Sequence, residues 1–94
     1  MAGRVTDNQG RRRFELALEG DETAFIDYYP RADGVLVLTH AEVPEALRGS
    51  GVGGRLAAGT LDLLRARGQR MVPRCPYVAH FVARHPQYAD LVAV

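Results

Sequence analysis

Between a run of β-forming residues and an amphipathic helical stretch the chain reads Arg48-Gly49-Ser50-Gly51-Val52-Gly53-Gly54. This segment constrains the fold more than any other, because it fixes a strand–loop–helix order. A helix that begins on such a loop presents unpaired backbone N–H groups together with the positive end of its dipole. That combination suits an anionic phosphate, and glycines let the ligand approach the main chain. The segment is not a Walker loop, since no Lys-Ser/Thr pair follows it. It is also a poor dinucleotide fingerprint: the preceding strand belongs to an antiparallel meander, and 94 residues leave no room for a second nucleotide-binding half. A tight helix–strand turn with no ligand is the plain alternative.

Turn signals divide the chain ahead of the loop into three antiparallel strands. Asn8-Gln9-Gly10 precedes a strand in which Phe14, Leu16 and Leu18 point one way, while Glu15 and Glu19 point the other. Glu19-Gly20-Asp21 turns the chain into a second alternating run, residues 23–29, stopped by Pro30. Arg31-Ala32-Asp33-Gly34 then leads to a third strand, residues 35–43. Its start is apolar on both faces, as a central strand should be, and near its end His40 and Glu42 share a face by the period of 2. The pattern predicts a helix over residues 53–67, with Ala57, Leu61 and Leu64 buried, Arg55 and Asp62 opposite, and Gly68 at C′. Residues 71–75 read as a strand parallel to the third, which makes a βαβ unit. Pro76 suits the first position of a last helix carrying Tyr77, Val78, Phe81 and Val82 and ended by His85-Pro86, whereas the tail, residues 87–94, carries no signal.

Composition narrows the function. The length allows one domain, residues 1–94, and 47% hydrophobic with 24% charged residues is the balance of a globular chain. The longest apolar runs, near residues 34–39 and 78–83, fall far short of the roughly 20 residues of a membrane span. The opening MAGRVTDNQG resembles neither a signal nor a transit peptide, so a cytoplasmic protein without membrane contact is expected. Cys75 is the single cysteine, which excludes an internal disulfide, and no Cys or His near it has metal-ligand spacing, so no metal is expected. All 12 basic residues are arginine, and 11 carboxylates bring the net charge to +1, which argues against a nucleic-acid partner. Arginine without lysine, beside many alanines, points to a GC-rich and hence bacterial genome.

The chain resembles the GCN5-related N-acetyltransferases, whose acyl-CoA signature has the form Gln/Arg-x-x-Gly-x-Gly/Ala. Here it reads Arg48-Gly49-Ser50-Gly51-Val52-Gly53, after the strand-end residues Glu42-Val43-Pro44. The short, single-domain subgroup is the nearer match, through four blocks in its order and spacing: Thr39-His40-Ala41-Glu42-Val43, the RGSGVG loop, residues 72–78 (VPRCPYV) and residues 84–92 (RHPQYADLV). The resemblance covers residues 34–92 well and the first strands loosely. It implies a minimal α/β (α+β) acyl-CoA N-acyltransferase fold: an antiparallel meander, a βαβ unit and a C-terminal helix, with about five strands. It further implies that the third strand and the strand ending at Cys75 splay apart. Pantetheine of acetyl-CoA would then lie against Glu42 and Val43, and the pyrophosphate on Arg48, Gly49, Ser50, Gly51, Val52, Gly53 and Gly54, with Cys75, Tyr77 and Phe81 beside the coenzyme. The two helices that ordinary members carry after the first strand are missing, as are their later strands, so the amine acceptor stays open.

Amine acetylation needs an unprotonated amine, a polarised thioester carbonyl and a proton for the departing thiolate. His40 is a candidate base, or an ordinary hydrogen-bonded residue of the sheet. Glu42 is a comparable candidate, or orients His40. Cys75, at a strand end before a helix, is a candidate nucleophile or acid, or simply packing. Tyr77 and Tyr88 are the other candidate proton donors, with core packing as the alternative for each. Arg11, Arg12 and Arg13 are candidate contacts for an acidic partner or the coenzyme 3′-phosphate, or a solvated strand edge. The expected activity is acetyl transfer from acetyl-CoA to a primary amine by a monomer or weak homodimer. The alternatives are an acyl-CoA-binding module or sensor that works with a partner, and a plain interaction domain.

Overall fold

In the computed structural model, which describes residues 4–93, the alternating segments form a five-stranded mixed sheet. Residues 1–3, which open the segment read as leaderless, and residue 94, the end of the tail, lie outside the described residues. The sheet contains β1 (Thr6–Asn8), β2 (Arg13–Ala17), β3 (Thr23–Pro30), β4 (Leu36–Glu42) and β5 (Met71–Pro73), side by side in that order. β1 to β4 pair antiparallel, with Phe14 opposite Ile26 and Leu16 opposite Ala24. β5 runs parallel to β4, opposite Leu36–Leu38. Helix α1 (Val52–Ala66) makes the crossover between them, which completes the expected βαβ unit.

The meander has one strand more than the three expected, because β1 precedes them. Its sequence, Thr-Asp-Asn, carries no apolar alternation. Pairing supplies what patterning does not: Thr6 lies opposite Glu15, and Asn8 Nδ2 donates to Glu15 Oε2 at 3.2 Å. β5 is shorter than expected because Pro73 has no N–H and the Arg74 N–H turns back to the Val72 carbonyl. The Cys75 N–H still reaches the Leu38 carbonyl at 2.8 Å.

One face of the sheet is covered by α1 and α2 (Pro76–Arg84). Phe14, Leu16, Ile26 and Leu38 meet Leu56, Leu61 and Leu64 of α1 and Val78 of α2, all essentially inaccessible. Truncating such a residue, Leu61→Ala for example, removes about 2–5 kcal/mol. Gly59, half-buried, packs against the chain that leads into β1; a Cβ there would lie 2.5 Å from Val5 Cγ2. α1 begins one residue before the expected start. It ends in a Schellman motif, with Gly68 at φ +65°, its N–H on the Arg65 carbonyl and the Gln69 N–H on the Leu64 carbonyl.

A bulge in β4 decides which residues face the helices. Asp27 pairs with His40, but Tyr28 pairs with Leu38, so Thr39 is an extra residue on β4. Strict alternation from Leu36 and Leu38 would aim His40 at the core. The bulge reverses the phase: half-buried Ala41 joins the core, and His40 and Glu42 are exposed on the opposite face beside Phe25 and Asp27. The tail is also ordered. Residues Pro86–Leu91 form a 3-10 segment, and the Ala93 N–H donates to the Met71 carbonyl at 2.7 Å, which extends the free edge of β5.

Candidate functional site

The parallel pairing of β4 with β5 stops at Leu38 and Pro73, although β4 runs on to Glu42. Among the described residues, 39–42 therefore have no β5 partner: β5 ends at Pro73, and the Cys75 N–H closes the pairing on the Leu38 carbonyl. The chain leaves β4 through Val43 and Pro44, makes a 3-10 turn over Glu45–Leu47 and enters the glycine segment. Gly49 and Gly51 stand at φ +83° and +89°, in the left-handed region open to glycine at little cost. Ser50, between them, turns back: its N–H and its hydroxyl both donate to the Leu47 carbonyl. Ser50 therefore does not cap α1, and no other side chain does. The first helical bond is from the Arg55 N–H to the Gly51 carbonyl. The N–H groups of Val52, Gly53 and Gly54 are left at the positive end of a 15-residue helix without a side-chain acceptor.

A hollow of about 420 Å³ opens over these groups. Gly49, Gly51, Gly53 and Gly54 contribute to its wall together with Val43, Arg48 and Tyr77. Arg48 Nε donates to the Val43 carbonyl at 3.3 Å, which ties the guanidinium to the end of the sheet. Tyr77 is 44% exposed, and its hydroxyl sits where a Cβ on Gly53 would be, 2.5 Å away. A second hollow, about 590 Å³, is lined by Gly54, Tyr77, His80, Phe81, Arg84 and His85. The two share Gly54 and Tyr77, so they adjoin, one over the loop and the other along α2. The donor set fits a diphosphate: free helix N–H groups, glycines that leave the backbone bare and one permanently charged arginine.

Of the residues expected to do chemistry, the structure brings two together. His40 Nε2 donates to Glu42 Oε2 at 3.1 Å, so Nδ1 carries the lone pair of the neutral ring. Both are about half exposed, on the sheet face that the helices leave uncovered, and the His40 ring centroid lies 6.5 Å from that of Phe25. Cys75 is elsewhere. It is only 3% exposed, belongs to the core cluster and is not among the residues lining either hollow.

Tyr88 is also committed to structure: its hydroxyl donates to Asp62 Oδ1 at 2.8 Å, and burial followed by that bond pushes its pKa up. The arginine triplet lies away from the loop. Arg12 lines a hollow with Arg67 and Gln69 at the far end of α1, about 21 Å from the glycine segment at 1.5 Å per residue. Arg13 bonds Glu15 at 2.6 Å and stacks on Phe25. His80, Arg84 and His85, which line the second hollow, carry in the sequence only the signal of a basic i, i+4, i+5 set at the end of α2. No group of three or more metal-ligating side chains occurs among the described residues.

A mixed sheet whose fourth strand outruns the fifth beside a glycine-rich helix start defines the class, and comparison with known families agrees. The family model described as GCN5-related N-acetyl-transferase matches residues 13–91, and the chain belongs to that family. The match begins at β2, so it takes in strands where the resemblance was loose. The chain is 33% identical over 90 residues to Protein NATD1 of Bos taurus, across 93% of this chain and 80% of that protein. It is 32% identical over 92 residues to Protein NATD1 of Danio rerio (95% and 84%), and 31% identical over 90 residues to that of Homo sapiens (93% and 80%). These relatives are vertebrate and lend no support to a bacterial source.

Proposed function

We propose that this protein binds acetyl-CoA along the two adjoining hollows between β4 and α2 and transfers the acetyl group to a primary amine. The observation that carries the proposal is the uncapped start of α1, with left-handed Gly49 and Gly51, placed where β4 outruns β5. The coenzyme supplies the acetyl group as an activated thioester. The N–H groups of Val52, Gly53 and Gly54 and the guanidinium of Arg48 hold its pyrophosphate. The edge of β4 beyond Leu38, which no β5 residue pairs, is where the pantetheine arm would lie, beside Glu42 and Val43. His40, oriented by Glu42, accepts the amine proton at Nδ1. Tyr88 is bonded to Asp62, and Tyr77 stands over the start of α1 at the phosphate end of the site, so the departing thiolate takes its proton from solvent. Burial of Cys75 in the core favours direct transfer over a covalent acetyl-cysteine route.

The test is single-turnover incubation with acetyl-CoA and a panel of primary amines, followed by mass spectrometry. Acetylated amine, formed equally by Cys75→Ala and more slowly by His40→Ala, supports the proposal. Tight binding of acetyl-CoA with no acetylated product would favour the second reading, a binding module that works with a partner. Exposure of the His40–Glu42 pair on an uncovered face is the observation behind that reading.

A further inference from the structure

The second hollow lies on the other side of Gly54 and Tyr77 from the edge of β4 beyond Leu38. If the pyrophosphate rests on the start of α1 and pantetheine lies along that edge, the hollow along α2 is left for the nucleoside end. Coenzyme A carries a 3′-phosphate on that ribose, a dianion close to the pyrophosphate. The hollow has the chemistry to receive it. Arg84, in the last turn of α2, keeps its charge at any physiological pH, and among the described residues it has no carboxylate partner. Its Nη1–H donates to His80 Nε2 at 3.4 Å, a contact that steadies the guanidinium and leaves its other N–H groups free. His85 is fixed as well: its Nδ1–H donates to the Phe81 carbonyl at 2.8 Å, and its ring stacks on Phe81 with centroids 4.0 Å apart. No carboxylate is among the six lining residues.

We propose that the Arg84 guanidinium, positioned by His80, receives the 3′-phosphate of coenzyme A, so that the protein selects CoA over its dephospho form. The proposal rests on the coenzyme reading above and adds a selectivity that the loop alone does not provide. Dephospho-CoA keeps the pyrophosphate and the pantetheine, so it isolates the contribution of Arg84.

Calorimetric titration of the parent with CoA and with dephospho-CoA should show CoA bound at least about tenfold more tightly. Arg84→Ala should remove that difference by weakening CoA alone. Arg84→Lys should keep part of it, since the ammonium retains the charge but not the planar fork. Equal affinity of the parent for both ligands, or an Arg84→Ala loss shared by both, would overturn the assignment while leaving the coenzyme site intact. Failure of the folded parent to bind either ligand would overturn both readings.

Discussion

The two ends of α1 are built on opposite plans. At its C-terminal end almost every polar group has a partner. The Schellman motif closes the backbone, Arg67 bonds Asp7, Tyr28 bonds the same carboxylate at 2.6 Å, and Gln69 reaches the Gly34 carbonyl. Near this end Arg65 also grips Asp90 and the Gln87 carbonyl. At its N-terminal end there is no side-chain cap, the nearest hydroxyl is turned away, and glycine stands wherever a side chain would cover the backbone. One helix thus separates stability from binding: the saturated end fastens the fold, and the bare end is left for an anion.

The largest effect should come from closing the bare end without straining it. Gly54 has helical backbone and open space where a Cβ would go, and it lines both hollows. Gly54→Leu should lower acetyl-CoA affinity by about a hundredfold or more. It should also raise the melting temperature, since replacing a helical glycine contributes up to about 1 kcal/mol. Substitution at Gly51 would be a poorer test, because a side chain at φ +89° strains the backbone as well. Arg48→Ala should cost less, roughly tenfold to a hundredfold in CoA affinity, the loss of one charge-assisted contact with phosphate.

At the saturated end the pattern should invert. Tyr28→Phe should destabilise by about 1 kcal/mol in chemical denaturation and leave CoA binding unchanged. Burial, followed by the bond to Asp7, raises the Tyr28 pKa from 10 to about 12. A raised tyrosine pKa means that the fold prefers the neutral phenol. Its contribution is complete below pH 10 and is lost as pH climbs toward 12, and Tyr28→Phe should flatten that alkaline decline. Arg65→Ala should have the smallest effect, the least shift of the denaturation midpoint among these variants, because its fork on Asp90 is exposed to water and screened by salt.

The bare end was legible in the sequence because it consists of residue types: glycines, an arginine and a preceding β run leave a trace whatever surrounds them. α1 was legible too, through its apolar period. β1 was not, since Thr-Asp-Asn is held by its neighbour and not by a pattern of its own. The bulge at Thr39 was equally hidden. It exists in the mismatch of two strands, yet it decides that His40 and Glu42 face away from the core. Cys75 looked reactive by its position before a helix, and only packing reveals that it is enclosed. The basic side of α2 could be counted in advance, but that it borders the glycine loop depends on how α1 and α2 meet.

The central claim is that the uncapped start of α1 holds the coenzyme pyrophosphate, and amide ¹⁵N–¹H chemical shifts followed during a titration with CoA test it most directly. Saturable shifts, largest at Gly51, Val52, Gly53 and Gly54 and negligible at Gly68 and Gln69, are the predicted result. No saturable shift in the folded protein, or the largest shifts at the Gly68 end, would contradict it.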